Sequence, residues 1–178
     1  MHAPIVVAAL AAALFTAGCQ SGPSADVTAT QPATPAAGPA ETPVRPVANV
    51  DPDLPVVTVY KSATCGCCQG WVDHLQHEGF QVEVVEMNDR SAVSSGRGVP
   101  RELGSCHTAV VGDYVVEGHV PAADIRRLLE EAPDAAGLAV PGMPIGSPGM
   151  EQGDYVQPYD VILIDRTGEG TVFAHHGG

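Results

Sequence analysis

The chain has 178 residues, with eight Lys and Arg against 21 Asp and Glu and a formal net charge of -13. Nucleic-acid binding needs clustered basic side chains to neutralise phosphates, and eight dispersed ones do not supply them, so that partner class is excluded. The length suits one ordinary domain, and the composition of the first third leaves roughly 120 residues to build it.

Residues 5–15 (IVVAALAAALF) form an apolar run with the length of a signal-peptide core, too short to span a bilayer. Thr16, Ala17, Gly18 and Cys19 follow, and this stretch resembles the lipobox of bacterial lipoproteins, where small residues precede a cysteine that is lipidated and becomes the new N-terminus. Thr16 stands where Leu is usual, and residues 1–4 carry no Lys or Arg. On this reading residues 1–19 are a signal peptide with lipobox, and Cys19 is lipidated. Gln20 then favours anchoring in the outer membrane, facing the periplasm. Residues 20–55 hold eight prolines among Ala, Thr and Ser and have no hydrophobic periodicity. Such a segment buries too little apolar surface to offset its ordering entropy, so it reads as a disordered tether to a domain at 56–178.

The domain opens on residues 56–60 (VVTVY), whose β-branched side chains predict a buried strand. A helix over 67–79 follows, with Trp71, Val72 and Leu75 on one face, Gln69, Asp73, Gln76 and Glu78 toward water, and Gly79 as its stop. Residues 81–87 (QVEVVEM) alternate as a second strand, which makes a βαβ unit with parallel strands. Residues 91–104 are rich in turn formers, with a short helix at 99–103. TAVV (108–111) and YVVE (114–117) flank Gly112 and Asp113 as a hairpin. Pro121 opens a helix that carries Ile125, Leu128, Leu129 and Ala132 at helical spacing, and Pro133 ends it. Residues 137–153 (GLAVPGMPIGSPGMEQG) cannot be helix or strand for long, and 161–165 (VILID) and 171–174 (TVFA) read as a C-terminal hairpin. The element order predicts an α/β, thioredoxin-like fold: a central mixed sheet flanked by helices, a CxxC at the mouth of the first helix, and an additional Gly/Pro loop and β-hairpin.

Residues 64–71 (TCGCCQGW) place three of the five cysteines within four positions. A helix N-terminus stabilises thiolate over thiol, and thiolate is both the nucleophile and the metal ligand. A redox dithiol uses two thiols, Cys65 attacking and Cys68 resolving, and leaves Cys67 as an intruder that invites wrong pairing. A metal site uses all three and takes Cys106 as a fourth. Thiolates favour Cu(I), and also zinc or an iron–sulfur cluster. As disulfides, Cys65 with Cys68, or a bridge to Cys106, are the comfortable pairings. His107, Met143 and Met150 are further soft-metal donors, whereas His119, near the start of a helix, reads as structural, and the tail pair His175 and His176 as incidental.

Four stretches carry a resemblance: YKSATCGCC (60–68), ELGSCHT (102–108), VEGHVP (116–121) and GMPIGSPGME (142–151). Together they resemble the CopG-like family of small exported metal-binding proteins, a domain-of-unknown-function family whose members are often encoded beside copper-resistance genes. The resemblance covers about residues 55–175 and implies a thioredoxin-like fold with Cu(I) held by Cys65, Cys67, Cys68 and Cys106. The function it implies is an envelope copper-binding protein that sequesters or transfers Cu(I), with copper ions and other envelope copper-handling proteins as partners. The alternative is an enzyme, a thiol–disulfide oxidoreductase or copper reductase that works through Cys65 and Cys68.

Overall fold

Val57 and Val59, both fully buried, anchor the first strand of the domain, β1 (Val57–Lys61). The structure, a computed structural model, describes residues 50–178; the signal segment, Cys19 and residues 20–49 of the expected tether lie outside the described residues. The end of that tether is part of the domain. Asp51 N donates to Gly79 O at 2.9 Å, the Asp51 carboxylate pairs with Arg126 at 3.3 Å, and Leu54 packs on the core. Composition hides this because a single apolar anchor carries the docking.

α1 (Gly66–His77) follows β1 and buries Cys68, Trp71, Val72 and Leu75 against the sheet, the face that the helical spacing predicts. Gly79 takes a positive φ of 89° just beyond the helix and turns the chain into Phe80 and β2 (Val82–Glu86). β2 pairs parallel to β1 with Val57 opposite Val82, as the βαβ reading requires. Residues 91–96, read as turns, form a short helix, α2 (Ser91–Gly96). Asp89 Oδ1 accepts from both the Ser91 backbone N–H and its hydroxyl, and this local anchor outweighs the turn-forming composition. A single 3₁₀ turn, Arg101–Leu103, then leads to β3 (Thr108–Val111).

β3 and β4 (Tyr114–Glu117) form the predicted hairpin around Gly112 and Asp113, with Val111 opposite Tyr114. α3 (Ala122–Glu131) starts after Pro121 and buries Ile125 and Leu128, and Ala132 closes it in the left-handed region at φ 43°. β5 (Gly137–Ala139) is a short strand inside the stretch expected to be irregular, wholly buried and parallel to β4. Three residues are too few to show a periodicity. Gly137 marks the position in another way: a Cβ there would stand 1.8 Å from the Val115 carbonyl oxygen. β6 (Tyr159–Ile164) and β7 (Gly170–His176) form the C-terminal hairpin; β6 starts two residues earlier and ends one earlier than predicted, and β7 is longer at both ends.

The result is one seven-stranded mixed sheet of order β2-β1-β3-β4-β5-β6-β7 with few helices. Its main core joins the β1 and β3 side chains to Trp71, Leu75, Phe80, Ile125 and Leu128. Among the described residues no helix is long and apolar enough to cross a membrane.

Gly137→Ala tests the β4–β5 contact. A methyl group driven into backbone cannot be relieved by a rotamer change, so urea unfolding should show a loss of about 3 kcal/mol. A loss under about 1 kcal/mol would mean that β5 does not sit in the sheet as described.

Candidate metal centre

The site begins at the first turn of α1. Cys65 is the residue before the helix, with an extended backbone at φ -80° and ψ 99°, and Cys67 and Cys68 lie in the opening turn. Cys65 and Cys68 are joined by a disulfide, whereas Cys67 and Cys106 are free thiols. The Cys67 sulfur lies 3.5 Å from that of Cys65. Cys106 arrives from the sheet: β1 and β3 are antiparallel with Tyr60 opposite Thr108, so the chain entering β3 lies beside the chain leaving β1. Cys68 Sγ is consequently 3.7 Å from the Cys106 carbonyl oxygen. One sulfur from each of Cys65, Cys67, Cys68 and Cys106 lies within 4.8 Å of the others, which is the gathering expected from the sequence.

Cys106 also belongs to a second group, with His107 and His119. His119 Nε2 is 3.0 Å from Cys106 Sγ, and its Nδ1 is 2.8 Å from the Pro148 carbonyl oxygen. A carbonyl only accepts, so Nδ1 carries the proton and Nε2 turns a lone pair toward the sulfur. A backbone carbonyl that fixes the far nitrogen of an imidazole is a usual support for a metal-binding histidine. The sequence reading left His119 as structural, yet a signal was present. Extending the β3–β4 register two residues past Thr108 and Glu117 sets Cys106 opposite His119, and Gly118 N indeed donates to His107 O at 3.0 Å.

His107 Nδ1 lies 3.3 Å from Cys106 Sγ. Its ring is buried 4.4 Å from that of Trp71, and its Nε2 has no partner among the described residues. Burial, reinforced by neighbouring His119, pushes the His107 imidazole down to about 3, and burial lowers His119 as well. Both rings are therefore neutral, the form that binds metal. Burial and the adjacent Cys67 push the Cys106 thiol up to about 12, so it keeps its proton until a metal displaces it.

The Gly/Pro loop closes over this arrangement. Beyond Pro148, Gly149 lies against α1 at φ 84°, where a Cβ would stand 2.5 Å from the Cys67 carbonyl oxygen, and the next residue, Met150, is held within the loop by its backbone bonds to Gly146 and Ser147. Ser105 Oγ donates to Gly142 O at 2.5 Å. Met143 is 51% exposed and lines a cavity of about 750 Å³ with Tyr159, His175 and His176. Those two histidines are strand residues rather than a loose tail: His175 pairs with Asp160 at 2.6 Å and His176 with Asp124 at 2.7 Å.

The depressed His107 imidazole predicts how the metal-free protein responds to acid. Its unfolded value is near 6.5 and its folded value is about 3, so below 6.5 the unfolded chain binds the extra proton and folding weakens as pH falls. Chemical unfolding from pH 7 to pH 4 should show this loss, and His107→Gln should flatten it. An unchanged slope in that variant would contradict the neutral buried imidazole.

The family described as "Protein of unknown function, DUF411" matches residues 103–150, the stretch that carries Cys106, His107, His119 and the Gly/Pro loop. A comparison with curated proteins finds no match. Among solved structures, one named "Copper resistance protein copG- Form 1" is similar at 49% identity and a TM-score of 0.67, covering 71% of this chain and 100% of that one. A second, named Form 2, is similar at 49% identity and a TM-score of 0.66, covering 70% of this chain and 99% of that one. At that identity, over essentially the whole length of those structures, the chain belongs to the CopG-like family.

Proposed function

We propose that the protein is a copper-binding protein of the bacterial envelope that holds Cu(I) on clustered cysteine sulfurs and passes it on, contributing to copper resistance. The observation that carries this reading is the meeting of four cysteine sulfurs within 4.8 Å, in a chain of the CopG-like family. Cys65, Cys67, Cys68 and Cys106 are the proposed ligands, with His107 and His119 as further donors at the same place; Met150 follows the Gly149 contact with α1, and Met143 lines the cavity beside Tyr159 and His176 rather than the sulfur cluster. Sulfur and imidazole together suit copper better than oxygen-seeking cations. The domain is read as thioredoxin-like, exported, and anchored through a lipid on Cys19 with the intervening segment as tether.

The bonded Cys65–Cys68 pair bears on how the site loads. As a disulfide those sulfurs are poor ligands. Two electrons and two protons from a thiol reductant convert the disulfide to two thiols, and Cu(I) then displaces protons from the four cysteines. The same pair favours a second reading, copper reduction. Two Cu(II) ions each take one electron, the Cys65 and Cys68 thiols lose two protons and form the disulfide, and two Cu(I) ions remain beside Cys67 and Cys106. The buried neutral imidazoles suit either course, because they bind copper without adding charge.

Anaerobic titration of the fully reduced protein with Cu(I), followed by metal analysis, tests the reading. At least one copper per chain should bind, and Cys67→Ser and Cys106→Ser should each lower the capacity or affinity. Binding of none, or no loss in any Cys→Ser variant, contradicts it. Disulfide-reduction turnover that survives both substitutions would favour a thiol–disulfide oxidoreductase instead.

A further inference from the structure

Cys106 is the one proposed cysteine ligand that lies outside the turn at the start of α1, and the residues around it are tied down by a polar network reaching away from the sulfurs. Glu117 at the end of β4 is 2% exposed, and its carboxylate bridges the two residues that flank Cys106 and His107. Oε1 accepts from the Ser105 backbone N–H at 2.7 Å, and Oε2 accepts from the Thr108 hydroxyl at 2.7 Å. Arg90, in the connection between β2 and α2, donates from Nη2 to the Ser105 carbonyl. The Ser105 hydroxyl is spent on Gly142 O. All three polar groups of Ser105 are thus occupied, two of them by side chains of opposite charge.

Stability alone does not account for a carboxylate at this position. Burying a carboxylate costs free energy that its partners return only in part, and an apolar replacement of a whole buried polar set commonly leaves a fold as stable or more so. What the carboxylate supplies here is direction. It fixes the peptide before Cys106 and the hydroxyl after His107 at once, and so sets where the intervening thiol and imidazole point.

We infer that Glu117 and Arg90 are positioning residues for Cys106: the Glu117 carboxylate spanning Ser105 and Thr108, with Arg90 on the Ser105 carbonyl, holds the Cys106–His107 dipeptide in place for the metal centre. This rests on the proposed copper reading for its consequence, whereas the positioning itself is a property of the metal-free chain. Groups that orient ligands without touching the metal typically matter by roughly 10- to 100-fold in affinity.

The test compares Glu117→Leu and Glu117→Gln by Cu(I) affinity against a competing chelator, by unfolding midpoint, and by the rate of Cys106 alkylation in reduced, metal-free protein. Glu117→Leu should stay folded, bind Cu(I) roughly 10- to 100-fold more weakly, and expose Cys106 to faster alkylation. Glu117→Gln, which keeps one acceptor, should recover part of both. In a Cys106→Ser background Glu117→Leu should cost much less of the residual affinity, because only His107 is left for it to position. Wild-type affinity and alkylation rate in Glu117→Leu, or an equal loss in the Cys106→Ser background, would overturn the inference. Should Glu117→Leu fail to fold, Arg90→Lys, which keeps the charge but loses the planar fork, decides by the same readouts. Should the wild-type chain take up no copper, the proposed function fails, and the alkylation rates alone decide the positioning.

Discussion

The antiparallel pairing of β1 with β3 is the constraint on which the candidate centre depends. With Tyr60 opposite Thr108, the residue that leaves β1 toward the cysteine turn and the residue that enters β3 after Cys106 are neighbours. Nothing local to the CGCC stretch could bring a fourth sulfur to it from 38 residues away. Shifting that register by one residue would turn the side chains of β3 to the opposite face of the sheet. The buried pairs along β1 and β3, Val59 with Ala109 and Val57 with Val111, oppose such a slip. The apolar core therefore decides the geometry of the sulfur cluster.

A second layer of organisation comes from the β3–β4 hairpin. Its register carries beyond the strands and places His119 against Cys106, while the loop over 141–150 folds back so that the Pro148 carbonyl fixes the imidazole. Trp71 belongs to both worlds: its ring lies beside His107, and its indole N–H donates to the Val120 carbonyl at 2.8 Å. The helix that presents Cys67 and Cys68 is in this way tied to the strand exit that presents His119. Flanking the cysteines on the other side, Glu117 and Arg90 fix Ser105. Cys106 is thus the point where α1, the hairpin and the Gly/Pro loop converge, and its protonated, half-buried thiol is a group that only a competing cation would ionise readily.

Much of this was legible in the residues. The βαβ unit, the hairpin at Gly112 and Asp113, the faces of α1 and α3 and the four clustered cysteines follow from periodicity, turn chemistry and spacing. Four features did not. α2 depends on the Asp89 contacts with Ser91 that outweigh a turn-like composition; β5 is too short to have a period; the docking of residues 51–54 rests on Leu54 and the Asp51 pairing with Arg126. His119 was within reach, since the hairpin that positions it was predicted, but its role depends on a register extended past the strand ends. The bonded state of Cys65 and Cys68 was one of two pairings that spacing left open.

In the proposed centre copper sits on sulfur from both the α1 turn and the β3 entrance. Copper X-ray absorption on reduced protein loaded anaerobically with Cu(I) tests this most directly, with the Cys106→Ser variant measured alongside. The wild type should show a Cu(I) edge and a first shell dominated by sulfur with some imidazole nitrogen, and the variant a lower sulfur number. A shell of nitrogen and oxygen alone, or a sulfur number that Cys106→Ser leaves unchanged, would contradict it.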